Sequence, residues 1–406
     1  MQFINEIPVW GEPVQSEAVE QMKVSLQKAQ RAAIMADHHL GYNSLPVGGV
    51  IAYKYFVSPS GVGSDIACGN KAVRLDVPAA RVRNHISDIM DKVFKNISFG
   101  MGRVNDTPVE SAVLDDPLFA ITHGPLGVRL KDLAVKSLGT VGSGNHYLDI
   151  FADEQDRVWV GCHFGSRGVG YKIAHHFVRD VGGVTAEGPY ASPVVFYLGS
   201  DKADEYLQWM HLAGRYAYAG RDWVCAEVAR ILGGEILEEV HNHHNFAWFE
   251  EHAGEQLCVV RKGCTPAFPG QKGFVGGSMG DISVILEGVD TMENKLGLCS
   301  TVHGAGRSMG RMEAKGKKKK IKDERGQWTG KWEVSREPRV TRESMQQWVS
   351  DAGVELRGAD VDESPHCYKR LPEVLAHHKD SVRILHTLKP IGVAMAPSNV
   401  FDPYAD

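Results

Sequence analysis

Hydrophobic and polar positions follow two patterns along this chain, and the helical one is clearest over residues 201–232. Apolar side chains recur there every three to four positions, and the pattern stops at Gly233-Gly234, a common signal for the end of a helix. A second amphipathic pattern begins at Ser16, a residue type that favours helix N-termini. We expect helices over residues 201–232 and near residues 16–35.

Short runs of β-branched and apolar residues, separated by Gly-rich turns, predict the strands. These runs span residues 50–57, 71–77, 158–162, 257–261 and 283–287. They do not alternate regularly with helical segments, as the strands of a doubly wound parallel sheet do. We therefore expect an α+β fold with mixed β-sheets.

Composition places the chain among ordinary globular proteins. Its 406 residues include 43% hydrophobic and 23% charged side chains, with a formal net charge of −5, which excludes a disordered or collagen-like protein. The length fits two or three domains or one large integrated domain. No stretch approaches the roughly 18 consecutive apolar residues of a membrane span, and the first residues lack the features of a signal peptide.

The number and spacing of the cysteines indicate the redox state of the compartment in which the protein works. The seven cysteines are an odd number and include no C-x-x-C pair, which argues against a disulfide framework or a zinc ribbon. We expect a cytoplasmic protein from a reducing compartment, with no membrane association.

The charge balance changes abruptly over residues 311–342. This segment contains 12 Lys and Arg residues against 5 Asp and Glu, a net charge of +7 on a chain that is acidic overall. Runs of like charge are commonly solvated, mobile surface segments. A basic patch is also what contact with a nucleic-acid phosphate backbone requires, so both interpretations stay open from the residues alone.

Five Gly-rich segments carry side chains that can bind metals or phosphates. In residues 61–69, Asp65 and Cys68 lie three positions apart in a loop that its glycines let bend tightly. Both side chains can therefore reach one cation, and the spare lone pairs of a thiolate can bridge to a second. In isolation, such a segment is more often a turn with a buried cysteine.

Two further segments each place a histidine beside glycines. In residues 139–149, successive glycines leave backbone N–H groups free for an anion, and His146 follows directly. In residues 161–168, His163 stands at the end of a predicted strand, and Arg167 follows four positions later. An imidazole next to a guanidinium suits a metal ion beside a phosphate group.

The last two segments hold the densest imidazole cluster and a separate histidine. Residues 241–245 read H-N-H-H-N, which does not match the H-E-x-x-H zinc motif; an exposed His-rich turn is the alternative to a metal site. In residues 301–307, His303 precedes G-A-G-R, which places a candidate nucleophile or base beside backbone donors and a guanidinium. Alone, this segment would be read as a tight turn.

Together the segments supply more ligands than a structural zinc site uses. One Asp, one Cys and three His exceed the four ligands of a closed tetrahedral site. Two ions that share the thiolate would use all five ligands and leave open positions, and paired ions about 3.5–4 Å apart are the usual device for phosphoryl chemistry. Ligand softness alone favours zinc.

Two matches to the serine-hydrolase motif G-x-S-x-G carry less weight. They lie at residues 276–280 and 306–310, in a chain with 44 glycines, where chance matches are expected. Their Gly-rich flanks do not suit the strand–turn–helix that this nucleophile elbow needs. We therefore set a serine hydrolase aside.

The same segments, in this order, resemble the RtcB-type RNA-splicing ligases over nearly the whole chain. The matching blocks begin with M-A-D-H-H-L-G at residues 35–41 and end with T-L-K at residues 387–389. Between them lie G-S-D-I-A-C-G, G-S-G-N-H-Y-L-D, H-F-G-S-R-G, H-H-N-F, R-K-G-C, G-G-S-M-G and H-G-A-G-R. The resemblance implies one integrated α+β domain over residues 1–406, with mixed sheets around a central metal and nucleotide cleft and an excursion at residues 311–342.

The resemblance also implies a reaction and a metal site. The family joins an RNA end bearing a 2′,3′-cyclic phosphate or a 3′-phosphate to a 5′-hydroxyl end, using GTP and two manganese ions. Asp65, Cys68 and His146 match the ligands of one ion. His163 and His244 match those of the second ion, which shares the Cys68 thiolate.

His303 matches the family's histidine that attacks the α-phosphorus of GTP to give a histidine–GMP intermediate. GMP then passes to the RNA 3′-phosphate, and the 5′-hydroxyl displaces it. A larger set of residues matches positions around the nucleotide. They are Asn145, His146, Tyr147, Leu148, Asp149, His244, Asn245, Gly276, Gly277, Ser278, Met279, Ser283, Gly304, Ala305, Gly306, Arg307 and Tyr368.

Four positions depart from the family pattern. Asp149 stands where the family usually has Glu to read the guanine edge, and Met395 replaces an expected Lys. Ala36 and Ala67 replace the usual Pro and Gly. The first two changes leave guanine selectivity open, and we expect guanylylation of the protein because the ligands and His303 are present.

Two other functions fit the same residues. A dinuclear metal phosphoesterase would hydrolyse RNA cyclic phosphate ends without nucleotide dependence. A non-catalytic RNA-end binder would account for the missing Lys and the basic segment. The resemblance further implies archease as an accessory partner, with tRNA halves or broken RNA as the substrate.

Overall fold

Mixed β-sheets flanked by helices form the centre of the protein, a computed structural model that describes residues 1–121, 126–184, 188–322, 325 and 327–400. Within these ranges the side chains of residues 127, 128, 318, 322, 330 and 331 are not described. Strands and helices are numbered here along the chain.

The strands are β1 (Gln2–Ile4), β2 (Ile7–Val9), β3 (Arg31–His39), β4 (Val47–Tyr53), β5 (Phe56–Val57), β6 (Gly69–Pro78), β7 (Tyr147–Asp153), β8 (Arg157–Phe164), β9 (Phe196–Tyr197), β10 (Ile236–His243), β11 (Asn245–His252), β12 (Glu255–Lys262), β13 (Cys264–Pro266), β14 (Lys272–Val275), β15 (Ser283–Gly288), β16 (Ser300–Val302), β17 (Lys317–Lys322), β18 (Trp328–Arg336), β19 (Glu355–Ala359) and β20 (Val382–Pro397). The helices are α1 (Ser16–Ser25), α2 (Pro59–Val62), α3 (Ala79–Asn84), α4 (Ile86–Asn96), α5 (Gly127–Ser137), α6 (Arg167–His175), α7 (Asp201–Leu232), α8 (Met292–Leu296), α9 (Arg311–Lys315), α10 (Arg342–Asp351) and α11 (Leu371–Ala376).

The larger sheet has the strand order β10-β6-β8-β7-β20-β15-β14, and β19 pairs with β20. The smaller sheet has the order β1-β2-β3-β4-β12-β11. The β19–β20 and β2–β3 pairs are parallel, and the other neighbours in these two sheets are antiparallel. The expected α+β class with mixed sheets is confirmed. Strand β20, late in the chain, lies between β7 and β15 in the larger sheet.

Helix α7 confirms the helix expected over residues 201–232. The Ser200 hydroxyl accepts a hydrogen bond from the Ala203 N–H at its start, and the helix ends at Gly233 in the left-handed conformation, with φ of 67°. Its buried face packs on β6 and β8. This contact places the helix directly behind the strands that carry the site.

The helix expected near residues 16–35 is too long, and this prediction is wrong in its second half. Helix α1 ends at Ser25, Lys28 has a left-handed φ of 64°, and the chain then enters strand β3. The apolar residues of β3 are buried in the sheet, so their spacing reflects a strand and not a helix face. The run at residues 50–57 is likewise divided between β4 and β5. The other expected strands lie within observed ones.

The basic segment 311–342 has regular structure where it is described. Helix α9 leads into the two-stranded ribbon β17–β18, and helix α10 begins at the end of the segment. Residues 323, 324 and 326 lie outside the described residues. Among the helices that the structure describes, none combines the length and the apolar character needed to cross a membrane.

Candidate active site

Neighbouring strand ends of the larger sheet bring the expected metal ligands together. Strand β6 pairs with β10 on one side and β8 on the other, and β7 pairs with β8 through Tyr147 and His163. Cys68 directly precedes β6, His146 directly precedes β7, and His244 directly follows β10. Antiparallel pairing therefore gathers side chains from distant parts of the chain at one end of the sheet.

Short distances confirm that these side chains form one cluster. The Cys68 Sγ atom lies 3.3 Å from His163 Nε2 and 3.6 Å from His146 Nε2. An Asp65 carboxylate oxygen lies 3.1 Å from His146 Nε2. The His244 ring centroid lies 4.9 Å from that of His163. All five expected ligands thus lie together in the structure.

Burial sets the protonation of this cluster. It raises the pKa of the Cys68 thiol well above its usual range, and the charge of Asp65 adds to the shift. It lowers the pKa of His163 and His244 well below the usual range, so their imidazoles are neutral. The Nδ1 atom of His244 is buried and has no hydrogen-bond partner among the described residues.

This donor set fits divalent cations. Neutral imidazoles offer lone pairs, and a buried thiol ionises when a bound cation supplies the compensating charge. One carboxylate, one thiol and three imidazoles could hold two ions that share the sulfur, in agreement with the count made from the sequence.

His303 lies beside the cluster and is held by Asp37. Its ring centroid lies 4.8 Å from that of His244 and 6.1 Å from that of His163. Its Nδ1 atom lies 2.6 Å from Asp37 Oδ2, and its backbone N–H donates to the same oxygen over 3.0 Å. Because a carboxylate accepts hydrogen bonds, this contact favours a proton on Nδ1, and the neutral ring in that tautomer has its lone pair on Nε2.

Asp37 was not identified as a functional residue from the sequence. It is fully buried in β3, where burial alone would raise the pKa of its carboxyl, but the contacts with His303 and the charge of Lys369 outweigh this and lower it. The sequence does contain a signal for this role. Asp37 is a charged residue within a largely apolar strand, and a buried charge needs a partner.

A cleft of about 490 Å³ opens beside His303 and the ligand cluster. Most residues expected around the nucleotide line it. They are Asn145, Tyr147, Asp149, His244, Asn245, Gly276, Gly277, Ser278, Met279, Gly304, Ala305, Gly306, Arg307 and Tyr368.

Three of the expected nucleotide residues have other surroundings. The Leu148 side chain is fully buried in an apolar cluster with Ile150, because alternate residues of β7 face opposite sides of the sheet. The Ser283 hydroxyl accepts a hydrogen bond from the Gly277 N–H over 3.0 Å and supports the turn from behind. His146 lies in the ligand cluster described above. The Leu148 side chain therefore packs in the core and does not line the cleft.

The guanidinium of Arg307 is engaged within the protein. It donates to the Tyr368 hydroxyl over 2.9 Å and to the Asp362 carbonyl over 2.7 Å, and it lies 3.4 Å from the Glu363 carboxylate. From the sequence we expected this group to neutralise a phosphate. In the structure it also fixes the loop that follows His303.

Other charged residues of the cleft were missed from the sequence. Lys262, Arg311 and Glu363 all line it. Burial lowers the pKa of Lys262 to about 7, and its Nζ atom donates to the Asn43 carbonyl over 2.9 Å. Lys262 belongs to the R-K-G-C block, which had been noted only as part of the resemblance.

One end of the cleft combines a buried carboxyl with apolar side chains. Asp149 Oδ1 is buried and has no hydrogen-bond partner among the described residues, and burial raises the pKa of this carboxyl well above its usual range. Met279, Val393 and Met395 line the cleft as well. Apolar side chains can cover the faces of a nucleobase, and a carboxyl group can bind its hydrogen-bonding edge.

Two glycines allow the close approaches that the site needs. At Gly306, with φ of 74°, an added Cβ would lie 2.1 Å from the Asp37 carbonyl oxygen. At Gly165, an added Cβ would lie 2.0 Å from Asp65 Oδ1. Any larger residue at either position would displace the histidine support or a metal ligand.

The serine-hydrolase motif has no elbow geometry at residues 276–280. This segment joins β14 to β15, so it is a turn between strands and lacks the helix that follows a nucleophile serine. At this one of the two matches, the fold agrees with the decision to set a serine hydrolase aside.

Comparisons with known proteins give a consistent result. The family model described as tRNA-splicing ligase RtcB matches residues 18–129 and 126–396. The RNA-splicing ligase RtcB of Escherichia coli (strain K12) is 29% identical over 420 residues, which cover 95% of this chain and 96% of that protein. The tRNA-splicing ligase RtcB of Thermococcus kodakarensis is 28% identical, over 89% of this chain and 86% of that protein.

The tRNA-splicing ligase RtcB of Nanoarchaeum equitans is 31% identical over 360 residues, which cover 70% of this chain and 74% of that protein. The matches thus come from both bacteria and archaea. Since the family model covers far more than half of the residues, this chain belongs to the RtcB family of tRNA-splicing ligases.

Proposed function

We propose that this protein is an RNA ligase that joins 2′,3′-cyclic phosphate or 3′-phosphate ends to 5′-hydroxyl ends, with GTP and two manganese ions. The observation that carries the proposal is the position of His303. Its Nδ1 proton is held by Asp37, which leaves the lone pair of Nε2 beside a cluster of five metal ligands.

His303 is the nucleophile of the first step. Nε2 attacks the α-phosphorus of GTP, a nitrogen–phosphorus bond forms, and the bond to the leaving pyrophosphate breaks. Asp37 holds the Nδ1 proton and stabilises the positive charge that develops on the ring. The N–H groups of the loop at residues 304–306 would orient the phosphate.

Two divalent cations, when bound, would neutralise the triphosphate and polarise its phosphoryl oxygens. Asp65, Cys68 and His146 would hold one of them, and Cys68, His163 and His244 the other. We propose manganese because the resemblance to the ligase family implies it, whereas thiolate and imidazole donors alone favour zinc.

The base of the nucleotide would occupy the end of the cleft beside Asp149. Its carboxyl can accept hydrogen bonds from the N–H groups of guanine, and Met279 and Met395 would cover the ring faces. The shorter carboxylate and the absence of a lysine at position 395 make the preference for GTP over ATP a quantity to be measured for this chain.

The RNA steps use the same site. A cyclic phosphate is first opened by water to a 3′-phosphate. An oxygen of that 3′-phosphate attacks the phosphorus of the histidine–GMP, and the nitrogen–phosphorus bond breaks. The RNA 5′-hydroxyl then attacks the activated 3′-phosphate, and GMP leaves. Lys262 and Arg311 line the cleft and would contact the RNA phosphates.

We further propose that residues 1–406 act as one ligase domain in the cytoplasm, with archease as an accessory partner. The substrates would be tRNA halves or broken RNA. The larger sheet supports a single domain. Its strands come from both halves of the chain and meet at the site.

The test is covalent labelling with nucleotides radiolabelled at the α-phosphate. The protein should retain label from GTP after denaturation, and His303→Ala should retain none and join no RNA. Absence of label from both GTP and ATP on the wild-type protein, with manganese present, would refute the proposal.

A dinuclear phosphoesterase is the second candidate, because the ligand cluster is complete without any nucleotide. It would release 3′-phosphate ends from cyclic phosphates at the same rate with and without GTP. A non-catalytic RNA-end binder, consistent with Met395, would bind RNA without turnover. His303→Ala separates these functions, since only the ligase loses labelling and joining together.

A further inference from the structure

The ribbon β17–β18 displays two tryptophans on the surface. The side chain of Trp328 is 62% exposed and that of Trp332 is 56% exposed, and Val334 on the same strand is 47% exposed. Tryptophan is highly buried in most folded proteins. Large aromatic surfaces in water on a projecting ribbon indicate a binding surface more than a packing role.

The register puts Lys320 on the same face as the tryptophans. Lys320 is paired with Trp332, and Trp328, Trp332 and Val334 lie an even number of positions apart on β18. Residues that lie opposite each other in an antiparallel pair share a face, as do alternate residues of one strand. We call this set of four positions, Lys320, Trp328, Trp332 and Val334, the ribbon face.

Lys320 lies close to both aromatic rings. Its Nζ atom is 6.0 Å from the Trp328 ring centroid and 5.3 Å from that of Trp332. A planar group stacked on either ring would therefore have an ammonium group beside it. In single-stranded nucleic acid, bases can stack on aromatic rings while a phosphate binds a positive charge beside them.

The ribbon is connected through helix α9 to residues that line the cleft. Met309 and Arg311 line the cleft, and helix α9 connects them directly to β17. Ala314 in that helix packs in a small buried cluster with Val340 and Cys367. Both ends of the ribbon are thus fixed beside the residues that follow His303.

We propose that the ribbon face binds single-stranded RNA that extends from the end held in the cleft. Bases stack on Trp328 and Trp332, and Lys320 contacts an adjacent phosphate. This inference rests on the proposed ligase function and adds a second RNA contact outside the reacting site. Strand β17 spans about 20 Å at 3.3 Å per residue, a length that suits a few nucleotides.

Binding of two RNA lengths tests the proposal. A 3′-phosphorylated single strand of about 12 nucleotides reaches beyond the cleft, and one of about 3 nucleotides does not. Trp328→Ala and Trp332→Ala should each weaken binding of the longer RNA about tenfold, because the loss of one stacked base has an effect of this order. Binding of the shorter RNA should not change.

The controls separate aromatic stacking from general surface effects. Trp332→Phe keeps an aromatic face and should retain most of the affinity. Phe249→Ala removes a side chain of matched exposure, 55%, on strand β11 and should leave both affinities unchanged. Quenching of tryptophan fluorescence by the longer RNA should be reduced in Trp328→Ala.

Two results would overturn the proposal. One is equal affinity of Trp328→Ala, Trp332→Ala and wild-type protein for the longer RNA. This result would indicate that the ribbon face binds a protein partner and not RNA. The other is a loss of affinity for duplex RNA in these variants that equals their loss for single-stranded RNA, because paired bases cannot stack on the rings. Labelling by GTP is measured in parallel, so failure of the ligase function is detected separately.

Discussion

The guanidinium of Arg221 donates a hydrogen bond from Nη1 to the backbone carbonyl of Ala67 over 3.0 Å, immediately before Cys68. The same nitrogen donates to the Phe164 carbonyl over 2.5 Å, one residue after His163. Its Nη2 atom lies 3.0 Å from His243 Nδ1, next to His244. Arg221, fully buried in α7, therefore ties together three chain segments that carry expected metal ligands.

Replacement of Arg221 by methionine should loosen the metal site. The change leaves buried carbonyls without donors, and we expect the free energy of unfolding to fall by about 3 kcal/mol. The content of bound divalent metal should fall as well, because Cys68, His163 and His244 lose their common support. Denaturant unfolding and elemental analysis of the purified protein measure the two effects.

Arg215→Met is the matched control on the same helix. Its side chain is 55% exposed and pairs with Asp116 at the surface, so its loss should change stability by about 1 kcal/mol or less and leave metal content unchanged. Full metal content in Arg221→Met would show that the ligands hold their positions without this residue.

Replacement of Asp37 by asparagine should slow the labelling step and preserve the fold. The amide cannot stabilise a positively charged imidazole and no longer selects the tautomer that leaves Nε2 free. We expect the rate of guanylylation to fall by about 10²–10⁴-fold. Single-turnover labelling with GTP measures this rate, and His303→Ala gives the background. A rate near that of the wild type would exclude Asp37 as the positioning residue.

Lys262 should make RNA binding depend on pH. Its pKa of about 7 means that the ammonium form is present below that pH and is lost above it. Affinity for 3′-phosphorylated RNA should therefore fall as the pH rises from 6 to 8, at constant salt. In Lys262→Met the affinity should be lower and this component of the pH dependence should disappear. An unchanged profile in the variant would assign the dependence to another group.

Lys262 has a second consequence, for stability. Its pKa in the folded state lies below the ordinary value near 10.4 of an unfolded chain. The unfolded state thus binds more protons between these two values, and the contribution of Lys262 to stability rises with pH across this window. Lys262→Met should therefore gain stability relative to the wild type most clearly near pH 7.

Asp149 should control which nucleotide labels the protein. Its carboxyl lines the cleft and has a buried oxygen that can accept a hydrogen bond from a guanine N–H donor. Asp149→Ala should lower labelling by GTP about tenfold or more and reduce the ratio of GTP to ATP labelling. Asp149→Glu restores the longer side chain usual in the family and serves as the comparison. Equal ratios in all three proteins would mean that the base is read elsewhere.

The proximity of the expected metal ligands could be predicted because each lies in a short polar motif at a strand end. Cys68, His146, His163 and His244 flank or end strands whose apolar runs were visible in the sequence, and antiparallel pairing of neighbours joins them. Arg221 could not be predicted in this way. It lies within a long amphipathic helix, and its partners are backbone carbonyls, which leave no mark on the sequence.

The differences between expectation and structure also have physical reasons. Leu148 belongs to a motif that matches nucleotide positions, and strand alternation turns its side chain into the core. The helix near residues 16–35 was extended too far because a run of small and apolar residues in β3 has a spacing compatible with either structure. Asp37, in the same strand, pairs with a residue 266 positions away, and such long-range partners are invisible to local patterns.

The position of β20 bears on when the enzyme becomes active during synthesis. This strand inserts between β7 and β15, so the larger sheet stays divided into two parts until the ribosome has released residues 382–397. Met395, on this strand, also lines the cleft. A nascent or prematurely terminated polypeptide would therefore be inert towards cellular RNA.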